Sequence, residues 1–151
     1  MEGPTLSGRW VALEPLSEAD RNPLRRAAND ERIGPPRSCA RTDKACVGST
    51  SYLDIAPAHR RIEIGATWYH PDCWGTMVNP ECKLLLLTHA FEVLGVQRVT
   101  FITDVNNARS QAAIAKGVAR WPNARWRGIQ HHRRRMAPIR QALKARTAIS
   151  E

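Results

Sequence analysis

The chain has 151 residues, enough for one domain with a single core, and 42% of it is hydrophobic, the ordinary proportion for a soluble globular protein. Its longest strictly apolar run, residues 84–87, is far too short to span a bilayer, and residues 1–4 lack the basic and apolar regions of a signal peptide, so a cytoplasmic protein is expected. The net charge of +9 is local rather than general: residues 116–151 carry ten basic residues against one acid, and the rest of the chain is balanced.

In chain order, Trp10-Val11-Ala12-Leu13-Glu14-Pro15-Leu16 reads as a short alternating strand stopped by proline. Ser17 is placed to cap a short helix carrying Leu24, Ala27 and Ala28, with Pro23 limiting where it starts. Residues 34–46 show neither helical nor strand periodicity and read as loop. Two strands are predicted over 47–55 and 61–69, joined by 56–60. In the second, Ile62, Ile64, Ala66 and Trp68 fall on one face, and Glu63, Gly65, Thr67 and Tyr69 on the other. The turn Trp74-Gly75-Thr76-Met77-Val78-Asn79 then leads into a helix. Asn79 suits its N-cap, Pro80 its first position, and Glu81 the positive end of its dipole. Leu84, Leu87, Phe91 and Leu94 recur at helical spacing, and Gly95 supplies the stop. Another strand covers 97–103, with Val99 and Phe101 alternating, and Asn107 or Asn106 caps a last helix through Ala112, Ala113, Ile114 and Ala115.

Residues 116–151 are rich in Arg and Trp, contain Pro122 and Pro138, and offer no alternating strand; 141–148 is at most weakly helical. The four cysteines, Cys39, Cys46, Cys73 and Cys82, form no C-x-x-C pair and no zinc-type spacing, so reduced thiols and no metal are expected.

A strand running through a short turn into a helix N-terminus makes an anion site, because the first helical N–H groups lack partners and the dipole adds positive charge. Here the turn has neither Gly-Lys-Ser/Thr nor G-x-G-x-x-G, so by itself it is better explained as a plain strand-to-helix connection. The second half adds information. After the next strand comes Asp104-Val105-Asn106-Asn107-Ala108-Arg109-Ser110-Gln111-Ala112-Ala113-Ile114-Ala115-Lys116-Gly117. With Leu13-Glu14-Pro15-Leu16, Val47-Gly48-Ser49-Thr50 and Glu63-Ile64-Gly65 before it, this order of parts resembles the GNAT superfamily of acyl-CoA-dependent N-acyltransferases. Within it, the likeness is to the branch that acetylates ribosomal-protein N-termini and related amines, and it covers residues 10–16 and 47–116.

The resemblance implies an α+β fold, a central, mostly antiparallel sheet flanked by helices, here incomplete at its C-terminal end. It implies acetyl-CoA as co-substrate and a primary amine, either a protein N-terminus or a small amine, as acceptor. The cofactor is expected in a V-shaped opening between the strands ending at Tyr69 and Thr103. Its pantetheine would pair with backbone near Trp68 and Tyr69, its pyrophosphate would sit on Trp74, Gly75, Thr76, Met77, Val78 and Asn79, and Asn107 and Ser110 would face pantetheine and thiol. The chemistry is direct attack of a neutral amine on the thioester. It needs donors for the oxyanion, expected from the N–H groups near Trp68 and Tyr69, a proton for the thiolate, expected from Ser110, and a base, for which Glu63 is the candidate and His70 an alternative through water. Each has a plainer reading: Ser110 as a first-turn serine satisfying backbone, Glu63 as a solvated or paired carboxylate, His70 as a loop histidine.

The chain departs from the family pattern in three places. Met77 stands where the turn has glycine. The span between Leu16 and Val47 is short for the helices and strand the family places there, and after Lys116 the pattern dissolves into a Trp/Arg/Pro-rich run. The expected organisation is an acyltransferase-like domain over 1–116, an internal deletion at 34–46, and a basic, disordered and frameshifted tail over 117–151. Two other functions compete: an inactive remnant of the fold, and nucleic-acid binding by the tail through Arg133-Arg134-Arg135, His131, His132, Trp121 and Trp126. An open sheet edge after Thr103 would favour a homodimer.

Overall fold

A computed structural model of the protein describes residues 3–28, 46–120, 129–131 and 141–147. The expected deletion scar over 34–46, except Cys46, lies outside the described residues, as do Trp121, Trp126, His132 and the arginine run at 133–135. The elements are β1 (Leu6–Ser7), β2 (Val11–Pro15), α1 (Arg21–Ala28), β3 (Cys46–Ala56), β4 (Arg61–Tyr69), α2 (Val78–Thr88), β5 (Arg98–Thr103), α3 (Ala108–Arg120), β6 (Ile129–His131) and β7 (Gln141–Thr147). The fold is α+β, and the chain divides into two compact units, with β3, β4 and α2 each contributing to both.

The first unit comprises Met1–Ser51, Ala66–Leu85 and Gln141–Glu151. Its strand order is β1-β2-β7-β3-β4, with β2 antiparallel to both β1 and β7. Val11, Leu13, Val47, Tyr69, Cys73, Val78 and Cys82 form its buried apolar core. Ser17 closes onto Asp20 rather than directly onto α1. Its N–H and hydroxyl both donate to Asp20 Oδ2 (2.8 and 2.7 Å), and a 3₁₀ turn, Glu18–Asp20, precedes the helix. Glu81 does more than complement a dipole. Its carboxylate accepts the backbone N–H groups of Arg9, Trp10 and Val11 at 2.7, 2.6 and 2.8 Å, which ties the β1–β2 turn to the first turn of α2.

The second unit comprises Tyr52–Gly65 and Leu86–Arg140. Here β5 pairs in parallel with β4 from Arg61↔Arg98 to Glu63↔Thr100, and with β6 from Phe101↔Ile129 to Thr103↔His131. Tyr52, Ile62, Ile64, Leu86, Leu87, Ala90, Val99 and Phe101 are its core. The Tyr52 hydroxyl, whose pKa burial pushes well above the usual phenol value, donates to the Leu86 carbonyl at 2.6 Å. Just beyond, the helix widens into a π turn, His89–Val93, as helices do where a side chain enters the ladder.

That turn also explains a corrected expectation. Leu84 and Leu94 face outward, whereas Cys82, Leu86, Leu87 and Ala90 fill the core. Four consecutive leucines permit more than one register, and the π turn shifts the phase after His89. A second correction concerns the C-terminal segment. No strand was legible after residue 116 and a weak helix was predicted over 141–148, yet β6 and β7 lie there, and β6 covers the β5 edge that was expected to be open. Ladders use backbone groups that every residue except proline carries, so a strand joining existing strands needs little side-chain signal. In the sequence, Leu143 and Ala145 alternating with Lys144 and Arg146 is the trace that was available.

Candidate functional site

In β4 the simple alternation fails at Ala66, which sits at φ +48. An L-residue enters that left-handed region at a cost of about 1–2 kcal/mol, and the usual setting inside a strand is a bulge. Ile62 and Ile64 are buried before it, and after it the buried residue is Tyr69, while Trp68 is only half-buried. The expected grouping of Ala66 and Trp68 with the isoleucines is therefore corrected: the buried face changes from even to odd positions across the left-handed Ala66, the shift that one extra residue in a strand produces. Beyond the bulge, the strand end is fastened. His70 N–H donates to the Val47 carbonyl at 2.8 Å, and a Cβ at Gly48 would run into the Trp68 carbonyl and Tyr69, so only glycine allows β3 this close. Burial raises the Tyr69 hydroxyl pKa well above its usual value, with the neighbouring Cys82 and Cys73 thiols adding to it, and burial also lifts Cys82 to about 11. The described cysteines, Cys46, Cys73 and Cys82, are free thiols.

The connection to α2 starts with a 3₁₀ turn, Pro71–Cys73, in which His70 Nδ1 accepts from Asp72 N–H at 3.3 Å. The Trp74 indole N–H donates to the Tyr69 carbonyl at 2.9 Å, which fixes the half-exposed ring. Gly75 then turns at φ +75 with open space where a Cβ would be, so conformation rather than crowding demands glycine there. Helix α2 begins at Val78, so the expected N-cap at Asn79 is corrected. The cap comes from Thr76, whose Oγ1 donates to the Cys73 carbonyl (2.7 Å) and accepts from Val78 N–H (3.3 Å). Asn79 instead lies in the first turn, with its Oδ1 buried and unbonded among the described residues. Gly75 and Met77 N–H make no hydrogen bond among the described residues, and Met77 is not among the residues at positive φ, so its side chain needs no strained backbone. The turn thus has exposed residues and unbonded N–H donors just ahead of a helix N-terminus.

Farther along the same helix, Lys83 Nζ donates to Thr67 Oγ1 at 2.5 Å and Thr50 Oγ1 at 3.2 Å, and the two hydroxyls are 2.8 Å apart. Burial lowers the Lys83 pKa to about 8. No motif in the sequence pointed to this group; a lysine breaking an otherwise apolar helical run was the available signal.

In the second unit, Glu63 is half-buried at the last β4–β5 pair, opposite Thr100. The loop after β5 is internally bonded. Asp104 Oδ1 accepts from Asn106 N–H (2.8 Å), and Gln111 Nε2 reaches the Val105 carbonyl (2.7 Å). Of the two candidate caps, Asn107 serves α3, its Oδ1 accepting Ser110 N–H at 3.0 Å. The Ser110 hydroxyl itself is half-buried and makes no hydrogen bond among the described residues. Residues 104 and 106–109 line an open depression of ≈ 610 Å³. Among the described residues, no group of three His, Cys, Asp or Glu side chains is arranged to hold a metal, and no helix is long and apolar enough to cross a membrane.

Strand β4 with Glu63-Ile64-Gly65, the turn into α2, and Asn107 and Ser110 at the start of α3 are parts on which the resemblance rests, and the family model for the acetyltransferase (GNAT) domain matches residues 38–117. The chain belongs to the GNAT acetyltransferases. Solved structures agree. A protein of T. thermophilus assigned as an acetyltransferase is 31% identical, with a TM-score of 0.62 over 77% of this chain and 75% of its own. A second assigned acetyltransferase is 25% identical, with a TM-score of 0.62 over 99% of this chain and 88% of its own. A GCN5-related N-acetyltransferase from Brucella melitensis, 20% identical with a TM-score of 0.59 over 99% of this chain and 80% of its own, shares the fold. No curated protein matches. As a GNAT acetyltransferase, the chain is an enzyme that transfers an acetyl group.

Proposed function

We propose that this acetyltransferase takes acetyl-CoA as donor and a primary amine as acceptor, a protein N-terminus or a small amine, as the ribosomal-protein-acetylating branch does. The observation that carries this reading is the left-handed Ala66 in β4 followed by a turn whose Gly75 and Met77 N–H groups make no hydrogen bond among the described residues. Pantetheine lies against the β4 backbone at Trp68 and Tyr69, and the pyrophosphate rests on Trp74, Gly75, Thr76, Met77, Val78 and Asn79. Because the Tyr69 carbonyl already accepts the Trp74 indole, pantetheine depends more on the remaining backbone groups.

The amine attacks as the neutral base, and the C–N bond forms as the carbonyl oxygen gains charge. The Trp68 and Tyr69 N–H groups take that oxyanion, Glu63 receives the amine proton, and Ser110 gives a proton to the departing thiolate. The unbonded Ser110 hydroxyl supports its role, and the Asn107 amide N–H₂, left over from capping, supports a contact with pantetheine. Free thiols at Cys46, Cys73 and Cys82 support a reducing compartment, hence the cytoplasm. The family-defining part of the chain ends at residue 117, near the expected boundary at 116; β6 and β7 beyond it weigh against a shifted reading frame, which resequencing the locus would decide.

The test is thiol release from acetyl-CoA against a panel of N-terminal peptides and small amines. Amine-dependent release that vanishes without acceptor is expected. Acetyl-CoA binding without turnover on any amine would instead favour the inactive remnant, for which Met77 at the family's glycine position speaks.

A further inference from the structure

An ammonium gives up hydration when it is buried, so an apolar residue at position 83 would be the less costly choice for packing α2. What the lysine provides instead is a directed contact. Its Nζ reaches Thr67 of β4 and Thr50 of β3, and the two threonines are bonded to each other across the strands. Thr67 occupies a particular place in β4: it follows Ala66, whose left-handed backbone and the change of buried face beyond it mark a bulge-like break, and precedes Trp68 and Tyr69. A bulge lets the following residues rotate about the strand axis, because the extra residue interrupts the ladder. The hydroxyl of Thr67 is gripped at the first point beyond that interruption, and the grip comes from a helix rather than from the strand itself.

We propose that Lys83 is a positioning residue for acyl transfer, which through Thr67 sets the rotation of β4 beyond the bulge and so aims the Trp68 and Tyr69 N–H groups at the thioester oxygen. The inference rests on the acetyl-transfer reading of the site. Lys83 touches neither acetyl-CoA nor the amine; its effect is confined to how well the donors meet the charge that develops in the transition state. Loss of the contact therefore lowers kcat and leaves the ground-state hold on acetyl-CoA largely intact.

Steady-state kinetics on the full chain carrying Lys83→Met, Thr67→Val or Thr67→Ser test this. Lys83→Met and Thr67→Val are expected to lower kcat about 10- to 100-fold, the scale of a misplaced catalytic geometry, with KM for acetyl-CoA changed by no more than about twofold. Thr67→Ser, which keeps the hydroxyl, is expected to retain most of the wild-type kcat. Should Lys83→Met fail to fold, the two Thr67 variants decide alone, since valine matches threonine in shape. Wild-type kcat in Thr67→Val, or equal losses in Val and Ser, would overturn the positioning role while leaving the acetyltransferase reading in place. A wild-type protein that releases no thiol with any amine would overturn both.

Discussion

Two strand-to-helix connections, the turn before α2 and the loop before α3, begin from the same physics and end with different capacities. Each delivers a helix N-terminus whose first N–H groups lack helical partners. Before α3, Asn107 Oδ1 takes the Ser110 N–H, Asp104 holds the loop through the Asn106 and Asn107 N–H groups, and the side chain left unbonded among the described residues is the Ser110 hydroxyl. Before α2, Thr76 Oγ1 takes the Val78 N–H, and the Gly75 and Met77 N–H groups of the turn make no hydrogen bond among the described residues. The lesson is that two capped helix N-termini leave different groups to a ligand according to their loops: turn N–H groups before α2, and a serine hydroxyl in the first turn of α3. In the proposed function the first connection holds the pyrophosphate and the second offers the thiolate its proton.

Substitutions in the two connections should separate these roles. Ser110→Ala is expected to give the largest effect, a fall in kcat of about 100-fold measured by thiol release, as for loss of a general acid. The melting temperature should stay put, because α3 uses only the Ser110 N–H. Gly75→Val forces a β-branched residue to φ +75; acetyl-CoA affinity, read by calorimetry, is expected to drop about tenfold, matching about 1–2 kcal/mol of left-handed strain. Asn107→Ala removes a cap and is expected to cost about 1 kcal/mol, visible as a melting temperature lower by a few degrees. A similar loss in kcat from Gly75→Val and Ser110→Ala, with acetyl-CoA affinity unchanged in both, would erase the distinction between the connections.

The smallest effect is a pH dependence in the first unit. Lys83 has a pKa near 8 in the folded protein and 10.5 when solvated, so between those values the unfolded chain binds more protons. Its contribution to stability therefore rises from about pH 8 towards 10.5. Cys82, raised from 9.0 to about 11, works in the opposite sense from pH 9 upward, and Tyr69 does so at higher pH. Comparing wild type with Lys83→Met by thermal melts isolates the lysine: the difference should move in favour of wild type as the pH is raised above 8.

Much of this was legible in the residues. Strands β3, β4 and β5, the turn at 74–79 and the cap at Asn107 follow from alternation, glycine and capping side chains, which are local signals. The bulge at Ala66 was not legible, because alanine carries no preference for positive φ and the tertiary setting imposes it. Neither was the facing of α2, where Leu84 and Leu87 looked equivalent because four consecutive leucines permit more than one register, and where the π turn shifts the phase for Leu94. The Lys83–Thr50–Thr67 group joins three elements, and no spacing along the chain announces it.

The most direct test is a thermal melt of the wild-type chain in rising acetyl-CoA. A ligand held by the native state must raise its stability by RT ln(1 + [L]/Kd). The expected result is a melting temperature that climbs with acetyl-CoA through the millimolar range, with a smaller climb in Gly75→Val. An unchanged melting temperature at millimolar acetyl-CoA would contradict the assignment of β4 and the 74–79 turn as its binding site.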